Sequence, residues 1–322
     1  VTLQVLCSAP YIIPVIDRFR PIFEKQGIEL IIPHVIERLS EDQLMQYAGD
    51  VDGVICGDDQ FTSDVLEAYS PRLTVISKWG TGIDSIDQMV ASKLGIGVFN
   101  TPGAFTDPVA DSVLCYILAF ARQLPWIDRA MKSGLWEKIP GRALNECVLG
   151  VVGVGNIGKA VLRRGQSFGM HLLGNDIVTI DPEFIHDVGV EMMALPELLA
   201  RSDFVSLNCD LNPTSYHLID ARAFAHMRPG TVLINTSRGA IVDEAALIDA
   251  LQNGQLAGAA LDVFENEPLQ NDSSLLSMDN VLLAPHNANS SPKAWETVHQ
   301  NTIRNLFNGL GLELPEGVME TL

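Results

Sequence analysis

Short apolar, β-branched runs alternate with stretches of helical periodicity along most of this chain. Leu3 to Cys7, Glu29 to Ile32, Asp52 to Cys56, Leu73 to Ser77 and Gly97 to Asn100 read as strands. Tyr11–Gln26, Glu41–Ala48, Ser63–Ala68 and Ser85–Leu94 read as helices between them. Repeated strand–helix units of this kind build a parallel sheet covered by helices. The rhythm breaks between Pro108 and Lys132, an apolar-rich stretch without glycine. It reads as one long helix interrupted near Pro125, because proline removes a helical hydrogen bond and crowds the preceding turn.

A second strand–helix series follows. Its strands are expected at Val148–Val152, His171–Asn175, Phe204–Asn208, Val232–Asn235, Ala257–Leu261 and Val281–Leu283, with a closing helix near Pro292–Asn308. Two such series with a helix between them imply two doubly wound α/β domains. The closing helix has no second sheet of its own to complete, which suggests a return to the first domain.

Composition narrows the function classes. The chain has 322 residues, long for one core and comfortable for two. Its formal net charge is −19, which argues against a nucleic-acid surface, since phosphate binding needs clustered Lys and Arg. Cys7, Cys56, Cys115, Cys147 and Cys209 are odd in number and form no C-x-x-C pair. Reduced thiols in the cytoplasm are expected, not a disulfide framework or a metal site. No signal-like start and no apolar run of about 20 residues is present, so no membrane span is expected.

The most legible chemistry lies at Leu149–Gly158. An apolar strand runs into Gly153-Val154-Gly155-Asn156-Ile157-Gly158, and a helical stretch, Lys159–Phe168, follows. In this arrangement the first glycine makes the turn, the second lets backbone N–H groups approach a pyrophosphate, and the third lets helix and strand pack closely. Asp176 ends the next strand, near the roughly 20-residue offset of the acid that binds a ribose hydroxyl. Its carboxylate would repel a 2′-phosphate, and Ile177 rather than Arg follows it, so NAD is expected over NADP.

Three further stretches follow strands: Ile234-Asn235-Thr236-Ser237-Arg238-Gly239, Asp262-Val263-Phe264-Glu265-Asn266-Glu267-Pro268 and Leu283-Ala284-Pro285-His286. Ligands of open parallel sheets bind beyond the carboxyl ends of strands. Reduction of a 2-keto acid needs a cation on the carboxylate, and arginine supplies a bidentate fork. It also needs a proton donor near neutral pH, a task suited to histidine, with a carboxylate to orient the ring. Arg238, His286 and Glu267 are candidates for these roles. Taken singly, each has a bland reading: a surface ion-pair partner, a structural histidine, a solvated loop acid.

Together the motifs resemble the D-isomer-specific 2-hydroxyacid dehydrogenase family, which includes phosphoglycerate, glyoxylate/hydroxypyruvate and D-lactate dehydrogenases. Lys78-Trp79-Gly80-Thr81-Gly82-Ile83-Asp84 resembles the family's substrate loop, and Asn100–Ala104 with Val109-Ala110-Asp111 its domain crossing. The glycine fingerprint, the Thr-Ser-Arg-Gly run, the Asp-Val-Phe-x-x-Glu-Pro run and the Pro-His pair complete the likeness. The resemblance implies a Rossmann NAD domain over residues 101–288 and a flavodoxin-like substrate domain built from 1–100 and 289–322, with the cleft between them closing on substrate. It implies that Arg238 holds the carboxylate and carbonyl, that His286 is the acid/base and that Glu267 is its partner. Asp262 and the backbone near Thr236 would contact the nicotinamide carboxamide. Backbone N–H groups of Gly80, Thr81 and Gly82 would hold the substrate carboxylate. A homodimer, joined largely through the cofactor domain and the region Trp126–Trp136, is the family expectation.

Departures from the family pattern matter too. Asn208-Cys209-Asp210 stands where the family has His-x-Pro, and an acid near a pyrophosphate is unusual. Asn287-Ala288-Asn289-Ser290 replaces the usual stretch after His286, and Asp111 stands for Glu. Lys78 reads as a surface lysine or as a group binding a substrate phosphate or second carboxylate. Only 36 residues follow His286, which is expected to leave no regulatory domain. Formate and phosphite oxidation are disfavoured by Glu267 and Thr81. An NAD(H)-sensing binding protein or corepressor on the same scaffold is the alternative from another class.

Overall fold

The structure, a computed structural model, describes residues 2–314. The chain divides into two compact units, Val1–Phe105 with Ser291–Leu322, and Thr106–Ser290. Unit 1 holds five strands, β1 (Leu3–Cys7), β2 (Ile28–Ile31), β3 (Gly53–Cys56), β4 (Val75–Lys78) and β5 (Gly97–Phe99), in the order β2-β1-β3-β4-β5. All are parallel. This is the flavodoxin-like order. Every residue of β3 and β4 is buried, as central parallel strands covered on both faces require.

The helix Pro292–Gly309 belongs to this unit and packs on β3, β4 and β5. Ser77, buried in β4, donates its hydroxyl to the Thr302 carbonyl at 2.7 Å. Trp79 Nε1 donates to His299 Nδ1 at 2.9 Å, which requires that ring nitrogen to be unprotonated. Burial, opposed by the Glu296 carboxylate and aided by Arg18, brings the His299 pKa down to about 4.

Unit 2 holds β6 (Val148–Val152), β7 (His171–Asn175), β8 (Glu191–Met192), β9 (Phe204–Leu207), β10 (Val232–Asn235), β11 (Gly258–Leu261) and β12 (Val281–Leu283). Their order is β12-β11-β10-β9-β6-β7-β8, again all parallel. The order reverses between β6 and β9, as in a Rossmann sheet. Both units are thus doubly wound parallel sheets. The edge strand β8 has two residues, too short to leave a periodic signal in the sequence.

Helix boundaries moved where proline acts. The stretch Tyr11–Gln26 is a 3₁₀ turn, Ile13–Arg18, followed by a helix, Arg20–Lys25, each with proline in its first two positions. The interruption expected near Pro125 falls earlier. Thr106–Arg122 ends at Gln123, whose φ is 57°, and a new helix, Leu124–Lys132, starts with Pro125 in its first turn. Proline is tolerated there because first-turn N–H groups have no helical partner. No described helix is long and apolar enough to cross a membrane.

Candidate active site

The loop after β6 accounts for each glycine of the fingerprint differently. Gly153 has φ 87°, and a Cβ on it would lie 2.5 Å from the Cys209 backbone nitrogen. A Cβ on Gly158 would lie 2.0 Å from the Gly153 carbonyl oxygen. Protein packing therefore explains both. A Cβ on Gly155 would meet nothing within 4 Å, so packing leaves that position unexplained. It faces open space, as a position approached by a ligand does.

Gly155 is also the N-cap of the helix Asn156–Ser167, and no side chain caps that helix. Asn156 and Ile157 open it, with Gly158 buried behind them. Uncapped first-turn N–H groups and the helix dipole suit a pyrophosphate. Asp176 follows β7 and accepts from Val154 N at 2.6 Å through one oxygen and from Val178 N at 3.0 Å through the other. A carboxylate has about four lone-pair sites, so the clamp leaves acceptor capacity for ribose hydroxyls. Ile177 beside it is 82% exposed. At the carboxyl ends of β9 and β10, Asn208 Oδ1 and Thr236 Oγ1 are buried without a hydrogen-bond partner among the described residues. Such orphaned atoms usually find a ligand or water. Asp210, the acid whose position departs from the family pattern, has an exposed side chain. This donor and acceptor set fits NAD.

Arg238, Glu267 and His286 follow β10, β11 and β12, which are neighbours in the sheet. His286 Nδ1 lies 3.0 Å from Glu267 Oε2, with both side chains mostly buried. Glu267 Oε1 accepts from Phe264 N at 2.9 Å, which fixes the carboxylate from its other side. Arg238 starts the short turn after β10, and its Nη1 donates to the Ser237 carbonyl at 2.8 Å. A Cβ on Gly239 would lie 1.9 Å from the Phe264 carbonyl carbon. Backbone contact at Gly239 therefore holds the arginine loop against the glutamate loop.

Asp262 has a structural task that sequence reading did not foresee. Its carboxylate accepts from Asn287 N and Ala288 N, each at 2.8 Å, and its carbonyl accepts from His286 N at 2.8 Å. These bonds hold His286 at φ 51°, a left-handed conformation uncommon outside glycine. Burial raises the Asp262 pKa against the pull of those two N–H groups. A second pair also escaped the sequence reading. His217 Nε2 lies 2.6 Å from Glu265 Oε1, tying the loop after β9 to the loop that carries Glu267. A histidine and a glutamate 48 positions apart leave no local signal.

In unit 1, the segment after β4 turns at Gly80, where φ is 128°. The Gly80 carbonyl accepts from Thr101 N at 2.9 Å and the Thr81 carbonyl from Asn100 Nδ2 at 2.6 Å. No hydrogen bond among the described residues uses the N–H groups of Gly80, Thr81 or Gly82. Successive unpaired N–H groups of this kind form an anion-binding concavity. The surface reading of Lys78 is overturned: it is 3% exposed and paired with Asp58 at 3.0 Å. As the last residue of a central strand, it is covered on both faces of the sheet.

Comparison with known proteins agrees with this picture. Residues 114–288 match the family model described as the D-isomer specific 2-hydroxyacid dehydrogenase, NAD binding domain. A glyoxylate reductase of Korarchaeum cryptofilum is 38% identical over 81% of this chain and 80% of its own length. A hydroxypyruvate reductase of Thermotoga maritima is 37% identical over 86% of this chain and 90% of its own. The solved D-lactate dehydrogenase of Aquifex aeolicus, complexed with NAD and lactic acid, superposes with a TM-score of 0.81 at 29% identity. That likeness covers 94% of this chain and 93% of the other. On the strength of the family match and these relatives, the chain belongs to the D-isomer-specific 2-hydroxyacid dehydrogenases, NAD-dependent enzymes that interconvert 2-hydroxy and 2-keto acids.

Proposed function

We propose that the chain reduces a short 2-keto acid at C2 to the D-2-hydroxy acid, with His286 as proton donor, Glu267 as its partner and Arg238 as the carboxylate and carbonyl clamp. The observation that carries this reading is the 3.0 Å contact between His286 Nδ1 and Glu267 Oε2 beside the Arg238 loop. With Nδ1 turned to the carboxylate, Nε2 is the nitrogen that gives the proton to the new alkoxide. The left-handed backbone at His286 and the Asp262 bonds beside it fix the backbone from which the ring projects, and Glu267 orients the ring itself. Arg238 draws electron density from the carbonyl oxygen and fixes the acid end by a two-point contact. In unit 1, the open N–H groups of Gly80, Thr81 and Gly82 support a role in binding a carboxylate. Bound NADH supplies the hydride. Gly155, Asn156, Ile157 and Gly158 would hold its pyrophosphate, Asp176 its ribose, and Thr236 with Asp262 its carboxamide side.

The test is loss of NADH absorbance with glyoxylate, hydroxypyruvate and pyruvate. Turnover is expected on at least one of them, with NADH preferred to NADPH because the Asp176 carboxylate would repel a 2′-phosphate. Tight NADH binding without turnover on any would favour a sensor instead.

Two coarser inferences accompany this reading. Five free cysteines, three of them buried, support residence in the reducing cytoplasm. Leu124, Met131, Leu135 and Trp136 are exposed apolar residues on one helix and its following turn, Trp136 at 85%. An apolar surface of this kind supports a homodimer through that region. Light scattering is expected to give twice the chain mass, and a monomer at micromolar concentration would rule the dimer out.

A further inference from the structure

We propose that His217 is a positioning residue for the reaction: it fastens the turn that carries Arg238 to the loop that carries Glu267, and so keeps the carboxylate clamp and the acid/base pair in register. The inference deepens the function proposed above and rests on it.

The backbone of His217 braces the arginine side. The segment after β9 comes back to pair with the residues that follow Arg238. His217 N donates to the Ala240 carbonyl at 2.9 Å, and Ile219 N to the Ile241 carbonyl at 3.0 Å. Asp243 N donates in return to the Ile219 carbonyl at 3.1 Å. Ala240 and Ile241 belong to the 3₁₀ turn Gly239–Ile241 that Arg238 opens. The imidazole of His217 braces the glutamate side. Its Nε2 lies 2.6 Å from Oε1 of Glu265, two residues before Glu267. Glu265 is held further by Glu244, the first residue of the helix Glu244–Gln252. Glu244 N donates to Glu265 Oε1 at 3.4 Å, and Glu265 N to Glu244 Oε2 at 3.3 Å. The Glu267 carboxylate itself accepts from Phe264 N, so a shift of residues 264 and 265 moves the group that orients His286.

His217 is itself tightly constrained. Its φ is 46°, a conformation that costs a non-glycine residue energy and persists where the surroundings over-determine it. The Tyr216 ring stacks on the imidazole, with centroids 4.1 Å apart and planes 13° from parallel. The loop leading to it is folded on itself, with Ser215 Oγ donating to the Asp210 carbonyl at 2.6 Å and accepting from Asn212 N at 2.9 Å. The side chains of His217 and Glu265 are 32% and 29% exposed, so an ion pair there adds little to stability. Geometry is where the contact has leverage, because a displacement of about 1 Å at a reacting group can cost roughly a hundredfold in rate.

The experiment compares the wild type with His217→Asn, Glu265→Ala, Glu265→Gln and the double variant His217→Asn with Glu265→Ala. The substrate is whichever of glyoxylate, hydroxypyruvate and pyruvate the wild type reduces fastest. Asparagine accepts a left-handed backbone but is too short to reach Glu265. His217→Asn and Glu265→Ala are each expected to lower kcat about tenfold and raise KM for the keto acid about threefold, with NADH affinity within about twofold of the parent. A merely structural role would reduce the folded fraction, which scales kcat and leaves KM unchanged; that result overturns the proposal. Glutamine keeps an oxygen for Nε2, so Glu265→Gln is expected to stay within about threefold of wild-type kcat/KM. The double variant is expected to lose no more than either single one, because both remove the same contact. Parental kcat/KM in either folded single variant overturns the proposal, as does a double variant whose loss is the product of the two. Should His217→Asn fail to fold, equal losses in Glu265→Ala and Glu265→Gln overturn it. Wild-type turnover separates the two readings: if a keto acid is reduced and the variants do not respond, the positioning role falls and the function stands. If no acid is reduced, both fall.

Discussion

His286→Ala is expected to lower kcat about a thousandfold while leaving NADH affinity and thermal stability near those of the parent. General acid groups contribute roughly 10²- to 10⁴-fold. The ring is mostly buried in the loop after β12, and its removal leaves the Asp262 bonds to Asn287 and Ala288 in place. The fold and the cofactor loop, which belongs to β6, should therefore survive. Glu267→Gln is a gentler companion. It keeps the shape of the partner but presents an N–H to His286 Nδ1 in place of an anion, and about a hundredfold loss of kcat is expected by analogy with other histidine–carboxylate pairs. Steady-state kinetics with fluorescence titration of NADH separates the terms. Full turnover by His286→Ala would end the proton-donor assignment.

Gly155→Ala and Gly158→Ala are expected to fail in opposite ways. Gly155 has φ −75° and ψ −155°, which alanine adopts readily, and its Cβ would enter open space. Stability should hold or rise slightly, because alanine narrows the unfolded ensemble. NADH affinity should fall about tenfold or more, a cost of roughly 1.4 kcal/mol or above, as the methyl occupies the path of the pyrophosphate. At Gly158 the Cβ would stand 2.0 Å from the Gly153 carbonyl, so helix and loop must part. Overpacking of this kind costs about 1–3 kcal/mol, a fall in Tm of roughly 5 °C for a unit of this size. Thermal scans with and without NADH read both effects. A Gly155→Ala protein with parental NADH affinity would remove the pyrophosphate from that loop.

Much of the fold was legible because both sheets are parallel and buried. Runs such as Val148–Val152 and Val232–Asn235 are apolar on both faces, so they stand out without any alternating pattern, and the structure starts and ends them at those residues. The glycine spacing carried its own geometry. Other features depend on strand order, which no local pattern holds. Arg238, Glu267 and His286 could each be placed after a strand, but their common corner follows from β10, β11 and β12 being adjacent. Lys78 misled for the same reason. A lysine at the end of an apolar run reads as a surface residue until the neighbouring strand is known to bring Asp58 beside it. Asp262 shows a third limit: its bonds go to backbone N–H groups, which every residue has, so its partners leave no mark in the sequence.

The order in which unit 1 is assembled has a consequence for biosynthesis. Its β4 strand is completed by Thr302 and His299, more than 200 positions downstream, while residues 106–290 form a separate body in between. On the ribosome, the inserted body has its whole sheet available before the helix that covers β4 has been translated. Val75, on the face of β4 that this helix covers, must wait uncovered through that interval. Domains fold as units during synthesis, and exposed strands are where nascent chains associate wrongly. The nascent first unit is therefore the part of this chain with the most to gain from a chaperone.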